Sequence, residues 1–271
     1  MDGNEVSQTF EFVRNHLTLG LLVMTRLGMM LMSLPAIGVG VPRRVQAFLL
    51  LMMTTMLIGP VASSSGDAPD TSLPRYETWT DVAVALGHEA MAGVLIGATA
   101  QMVLTGFQLG GEAMSGTGGM QLGDAIDPTT AASTPTTARL VGLMTAAIFL
   151  IIGGHRMLVG TLVESFDAIP AGQFAVGPSV VDAVVTQLTA GMSAGIRIAA
   201  PVIAALLLSN LVTGLISRTL PQINVLAVGL PLNALALLLV LAFSIATIGA
   251  VFIDEWGEAL QRLRLLLGLD Q

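Results

Sequence analysis

The chain has 271 residues, 54% hydrophobic and only 11% charged, with a mean hydropathy of +0.81 and a formal net charge of −7. A soluble domain carries roughly a quarter charged residues, so part of the solvent here is lipid, and the acidic balance argues against a nucleic-acid partner. There is no cysteine and all eleven basic residues are arginine, which excludes disulfides, thiolate or sulfur-ligated metal chemistry, phosphate-loop lysines and Schiff bases.

The first segment, MDGNEVSQTFEFVRNH, is acidic and lacks a cleavage site after an apolar core. The first apolar run is therefore expected to be a retained span rather than a signal peptide. Runs long enough to cross a bilayer fall at about 17–40, 45–65, 80–108, 138–162, 180–217 and 224–253. The breaks between them are GVGVPRR, SSSGDAPDTSLPRYETW, a central loop over 109–137, ESFDAIPAGQ and SRTLPQIN. Six spans put both termini on one side. The fifth run is too long for a bilayer of ~30 Å at about 1.5 Å per residue, with Pro201 as a candidate kink. The sixth continues with Leu260, Leu263, Leu266 and Leu267 at helical spacing. The last two runs thus read as a hairpin of two long arms that pack against other subunits. Arginines are shared evenly between the two sides, so charge alone leaves the orientation open.

Four charges lie inside apolar runs: Arg26, Glu89, Arg156 and Arg197. Each costs about 2.5–3.5 kcal/mol on insertion scales unless paired, so Arg26 and Glu89 are expected to face the protein interior. They are candidates for a pair, which serves either a subunit contact or helix register. The seven methionines of the first two runs (Met24, Met29, Met30, Met32, Met52, Met53 and Met56) are read as packing residues. Gly93-x3-Gly97, Gly106-x3-Gly110 and Gly191-x3-Gly195 mark faces where helices can approach closely. His16, His88 and His155 show no metal-ligand spacing. No nucleophile–base pair and no cofactor motif stands out, so the chain is not expected to be an enzyme.

The stretch GGEAMSGTGGMQLGDAIDP, residues 110–128, carries six glycines and three carboxylates in a chain that is otherwise mostly hydrocarbon. Non-helical backbone at membrane depth is tolerated where it is buried in protein or lines a water-filled cavity. An ordinary extramembrane connection accounts for it as well. A backbone-carbonyl ion filter is disfavoured because T-V-G-Y-G is missing. A phosphate loop fails for want of lysine.

Five stretches in order resemble the FliR/SctT family of type III export-gate proteins. They are RLGMMLMSLPAIGVGVPRRV; EAMAGVLIG with Glu89, Gly93 and Gly97; the central loop with Gly111, Glu112, Asp127 and Pro128; ESFDAIPAG; and RTLPQINVLAVGLPLN. The resemblance spans essentially the whole chain, and the wording of the last two motifs is closer to the flagellar branch. Two features depart from the pattern: Ser115–Gly119 replaces a bulkier stretch, and Asn233 stands where a basic residue commonly follows the G-x-P turn.

The resemblance implies an all-α polytopic membrane protein of six long hydrophobic helices arranged as hairpins. Residues 1–178 would be FliP-like (the first four helices and the central plug loop), and residues 179–271 a FliQ-like long hairpin and tail. It implies a pore-forming structural subunit without cofactor or metal, in the bacterial inner membrane at the flagellar basal body. Its partners would be FliP-like and FliQ-like subunits, FlhB-like and FlhA-like export proteins, and unfolded protein cargo. Residues 110–123 are expected to plug the resting pore, with Asp127-Pro128 ending the loop. The plug and its surroundings comprise Gly110, Gly111, Glu112, Met114, Ser115, Gly116, Thr117, Gly118, Gly119, Met120, Asp124, Asp127 and Pro128. Arg218, Pro221, Gln222 and Asn224 would form a cytoplasmic turn. Two rivals stay open: the equivalent virulence-secretion subunit, and a secondary transporter with a site near the membrane midplane.

Overall fold

The computed structural model describes residues 3–34, 42–64, 76, 78–119, 135–219 and 225–269, with side chains described from 17 onward, to 61 in the second helix, and from 227 in the last. Seven helices occur among the described residues: α1 Gly3–Ser33, α2 Arg43–Ser64, α3 Trp79–Gly118, α4 Thr136–Ile151, α5 Gly154–Ala168, α6 Pro178–Thr219 and α7 Val225–Leu267. Among them α2, α3, α6 and α7 are long and apolar enough to cross a membrane, and α4 with α5 can count as one further, broken span. The apolar part of α1, Leu17–Ser33, has 17 residues. The described residues are all-helical, and the chain is a polytopic membrane protein.

The expected spans shift in four places. The third does not stop at 108: α3 runs through Gly118, so ten residues of the expected central loop (109–118) are helical. The fourth is interrupted at Ile152–Gly153, where Gly153 takes a φ of 76° and ends α4. ESFDA, read as the start of a break, forms the end of α5. The sixth span and the leucine-spaced tail are one 43-residue helix. Residues 120–134 and 220–224, which hold Met120, Asp124, Asp127, Pro128, Pro221, Gln222 and Asn224, lie outside the described residues.

The residues divide into two compact units. The first comprises Met1–Gln101, His155–Val184 and Leu260–Gln271. In it, α1 and α2 run antiparallel: a Cβ at Gly20 would meet Ile58, and one at Gly28 would meet Leu50. The stripe Leu19, Leu22, Val23, Arg26, Leu27 and Met30 is buried at three- and four-residue spacing. α1 lies parallel to the start of α3, whose Gly93 and Gly97 face the backbone of Arg26 and Met30. The methionine reading changes here: Met30 is fully buried, whereas Met32, Met52 and Met56 are exposed. α3 begins with Asp81 accepting from the Thr78 N–H at 3.1 Å, an N-terminal cap of the capping-box kind.

The second unit comprises Met102–Gly154 and Val185–Ala259. Its α6 and α7 segments are antiparallel, since Ser209 bonds Asn233 and Gly229 sits against Thr213. The end of α3 runs parallel to α6 and antiparallel to α4, with Gly111 against Ala138 and Gln108 against Gly142. Edge-on aromatic contacts fill the space to α7: Phe107 with Phe252 at 5.2 Å, and Phe149 with Trp256 at 5.0 Å. The outward faces of α6 and α7 are apolar, with Leu207, Leu208, Leu211, Leu238, Leu239 and Phe243 all more than half exposed. Such a face fits lipid or neighbouring protein rather than water.

Candidate functional site

The glycine-rich stretch is built as helix up to Gly118, and its glycines are spaced for packing. Gly106 and Gly110 lie against the backbone of Gly191 and Gly195, so closely that a Cβ at Gly106, Gly110 or Gly195 would collide with a facing carbonyl group. Two of the small-residue motifs read from the sequence therefore pack on each other. Gly111, Met114, Ser115 and Gly118 are buried, Glu112 and Thr117 are half-buried, and Gly116 is exposed. Helix α3 ends where Gly119 takes a φ of 69°, in the left-handed region that favours glycine. Residues 110–118 are thus regular helix, where irregular backbone was expected.

The four charges inside the apolar runs separate into two kinds. Arg156 and Arg197 are exposed. Arg218, expected in a turn, lies exposed in the final turn of α6, where a cation offsets the helix dipole. Arg26 and Glu89 are fully buried and paired in a fork. Arg26 Nε donates to Glu89 Oε2 at 2.6 Å, and Nη2 donates to Oε1 at 2.9 Å. Nη1 donates to Ser165 Oγ at 2.8 Å and Nη2 reaches the Ile169 carbonyl at 3.4 Å. The guanidinium carbon lies 3.8 Å from the centre of the Phe166 ring, a cation–π contact.

Glu89 is satisfied from the other side. The Gly172 N–H donates to its Oε1 at 2.6 Å, while the Gly172 carbonyl lies 3.0 Å from His88 Nδ1. Two consecutive residues of α3 thus clamp both polar groups of one glycine. Gly172 has a φ of 84°, and the Tyr76 hydroxyl occupies the place its Cβ would take. That hydroxyl is buried and finds no hydrogen-bond partner among the described residues. Burial first, and then the negative charge of Glu89, raise its pKa above the ordinary tyrosine value. It therefore stays protonated at neutral pH.

Three motifs singled out in the sequence meet at this cluster: the arginine of the first run, the glutamate of EAMAGVLIG and the ESFDAIPAG segment. Sequence reasoning missed Ser165, Gly172, His88 and Tyr76 as its members. The presence of Ser165 and Gly172 inside ESFDAIPAG was the available signal. Glu164 of the same segment pairs with Arg264 of the α7 tail at 2.7 Å, both side chains half-exposed.

Gly172→Ala is expected to destabilise the chain beyond the ~1–2 kcal/mol of a forced left-handed alanine, because the new methyl also meets the Tyr76 oxygen. Adding Tyr76→Phe should recover part of the loss, since it removes that oxygen and leaves no orphaned hydroxyl. Thermal unfolding of the three variants in detergent checks this. A double variant no more stable than Gly172→Ala contradicts the steric account.

The functional meaning of this constellation comes from its kinship. Residues 17–259 match the model for bacterial export proteins, family 1. The chain is 26% identical over 240 residues to the flagellar biosynthetic protein FliR of Caulobacter vibrioides, covering 88% of this chain and 93% of that one. It is 28% identical over 193 residues to the FliR of Escherichia coli, covering 71% and 70%. The surface presentation of antigens protein SpaR of Shigella sonnei is 28% identical over 160 residues, covering 59% and 62%. The matched region contains the Arg26–Glu89 fork, the clamp at Gly172 and the paired glycines of α3 and α6, and over that length the chain belongs to family 1 of the bacterial export proteins.

Proposed function

We propose that this chain is a pore-forming structural subunit of the flagellar type III protein export gate in the bacterial inner membrane, where it passes unfolded flagellar subunits. The observation that carries the reading is the family match over 17–259 together with FliR relatives aligned along most of their length. In this reading it assembles with FliP-like and FliQ-like subunits and works beside FlhA-like and FlhB-like proteins. Residues 1–178 act as the FliP-like part and 179–271 as the FliQ-like hairpin. The 42- and 43-residue arms support that division. At about 1.5 Å per residue each reaches roughly 63 Å, twice the hydrocarbon thickness, so much of each arm needs protein neighbours. The exposed Arg156 and Arg197 are read as facing such neighbours or water.

The SpaR relative keeps a virulence-secretion role as the second reading. Deleting the gene in its own host separates the two. Loss of hook and filament protein from the medium, with other secreted proteins unchanged, supports the flagellar assignment. Normal filaments together with lost export of other substrates transfers it to the virulence system.

The closing of the resting pore is assigned to the glycine-rich region that begins at Gly110, with the end of α3 as its packed base and the chain beyond Gly119 as the closing part. A deletion of 112–120 would remove two turns of packed helix and report on folding. Deleting 121–133 is the fair experiment. Raised passage of small ions through the assembled gate is expected, and unchanged passage would remove the plug role.

A further inference from the structure

We infer that Asn210 and Asn233 form an amide latch by which the α6–α7 hairpin holds the C-terminal turn of α3. The last carbonyls of a helix have no partner within it. Here two of them are met by side chains from two other helices. Asn210 Nδ2 donates to the Thr117 carbonyl at 3.1 Å, and Asn233 Nδ2 donates to the Gly118 carbonyl at 3.1 Å. The two amides are joined, Asn233 Nδ2 donating to Asn210 Oδ1 at 2.7 Å, and Ser209 Oγ donates to Asn233 Oδ1 at 2.6 Å.

The bonds fix the orientation of both amides. Turning either one would set oxygen against oxygen at the helix end. Ser209 and Asn233 are buried, so water does not substitute readily. Gly229, one turn before Asn233, brings α7 close to α6 at Thr213, where a Cβ would stand 3.1 Å from the methyl group.

The chemistry also explains the residue type at position 233. Its amide donates twice and accepts once at the same time. A lysine there could donate to Gly118 but offers no acceptor to the Ser209 hydroxyl. The asparagine that departs from the basic pattern after G-x-P, a segment that is helical here, therefore belongs to a different, neutral fastening. Any movement that separates the hairpin from α3 breaks both amide-to-carbonyl bonds together, and the freed turn (Ser115–Gly119) loses its termination. The role for export rests on the proposed gate, in which this turn is the base of the pore-closing region.

Hydrogen exchange by mass spectrometry on the assembled, co-purified complex tests the latch. Asn233→Ala and Asn210→Ala should each raise exchange in the last turn of α3 by about tenfold and leave the first part of α3 unchanged. The double variant should rise far less than the product of the two, because one network is being broken twice. Asn233→Lys should fall between the parent and Asn233→Ala, because its ammonium can still donate to the Gly118 carbonyl but leaves the Ser209 hydroxyl without its acceptor. Asn210 is exposed, so Asn210→Ala keeps the experiment decisive where Asn233→Ala fails to assemble. Exchange within about twofold of the parent in Asn210→Ala, or a fully multiplicative double variant, overturns the latch. Passive ion conductance read on the same variants separates this inference from the pore-closing role. Raised exchange with raised conductance supports both, whereas raised exchange with unchanged conductance upholds the latch and shows that loosening this turn does not itself open the pore.

Discussion

Replacing Glu89 by alanine is expected to cost about 3–5 kcal/mol, enough to remove much of the stability of a typical domain. The change leaves the Arg26 guanidinium buried without its counter-ion and the Gly172 N–H without its acceptor. Arg26→Ala should cost a similar amount, because Glu89 is then an unpaired buried carboxylate. Glu89→Gln should fall between, since the amide oxygen can still accept one hydrogen bond. The double replacement Arg26→Met with Glu89→Leu should be more stable than either single alanine variant. Its residual deficit should stay below about 3 kcal/mol, the upper end for an orphaned buried N–H, because the Gly172 N–H that loses its acceptor is only half-buried. Thermal and denaturant unfolding in detergent read the series. A double variant worse than both singles would mean that the pair is not the source of the loss.

Exchanging the two charges looks like the natural test of the pair, but the surroundings are not symmetric. Ser165 Oγ and the Ile169 carbonyl accept from Arg26, and the Gly172 N–H donates to Glu89. Arg26→Glu with Glu89→Arg would aim a carboxylate at a carbonyl and a guanidinium at an N–H. Little or no rescue is expected from that swap, and its failure says nothing against the pair.

Gly195→Ala is expected to be at least as damaging, above the ~1–3 kcal/mol of ordinary overpacking, because its methyl would land on the Gly106 carbonyl oxygen rather than on a yielding side chain. The same substitution at Gly214, farther along α6, meets nothing within 4 Å. There alanine should be neutral or gain up to about 1 kcal/mol of helix propensity. Melting temperatures of the two variants compare a close backbone contact with bare propensity in one helix. Equal shifts would contradict the packing of α3 on α6.

These cases mark what the sequence could and could not disclose. The spans were readable because apolar runs of such length rarely arise outside a membrane. Buried charge is costly enough that Arg26 and Glu89 stood out as a pair before their contact was visible. Their further partners lie 139 and 83 residues away in the chain, at Ser165 and Gly172, and no local periodicity reports such a distance. Gly110 to Gly118 read as loop because glycine is a poor helix former in isolation. Tertiary contact overrides that preference here, since only residues without a side chain let α3 and α6 backbones touch. The break at Gly153 was hidden inside a continuous apolar run. Asn233 was visible as a departure, but its purpose needed the end of α3 beside it.

The most direct test of the export-gate assignment is co-purification of this chain, tagged at its C-terminus, from cells that also express the FliP-like and FliQ-like proteins of its own genome. A detergent-resistant hetero-oligomer that is lost when the FliP-like protein is omitted is the expected result. A monodisperse assembly of this chain alone, indifferent to both partners, would contradict it.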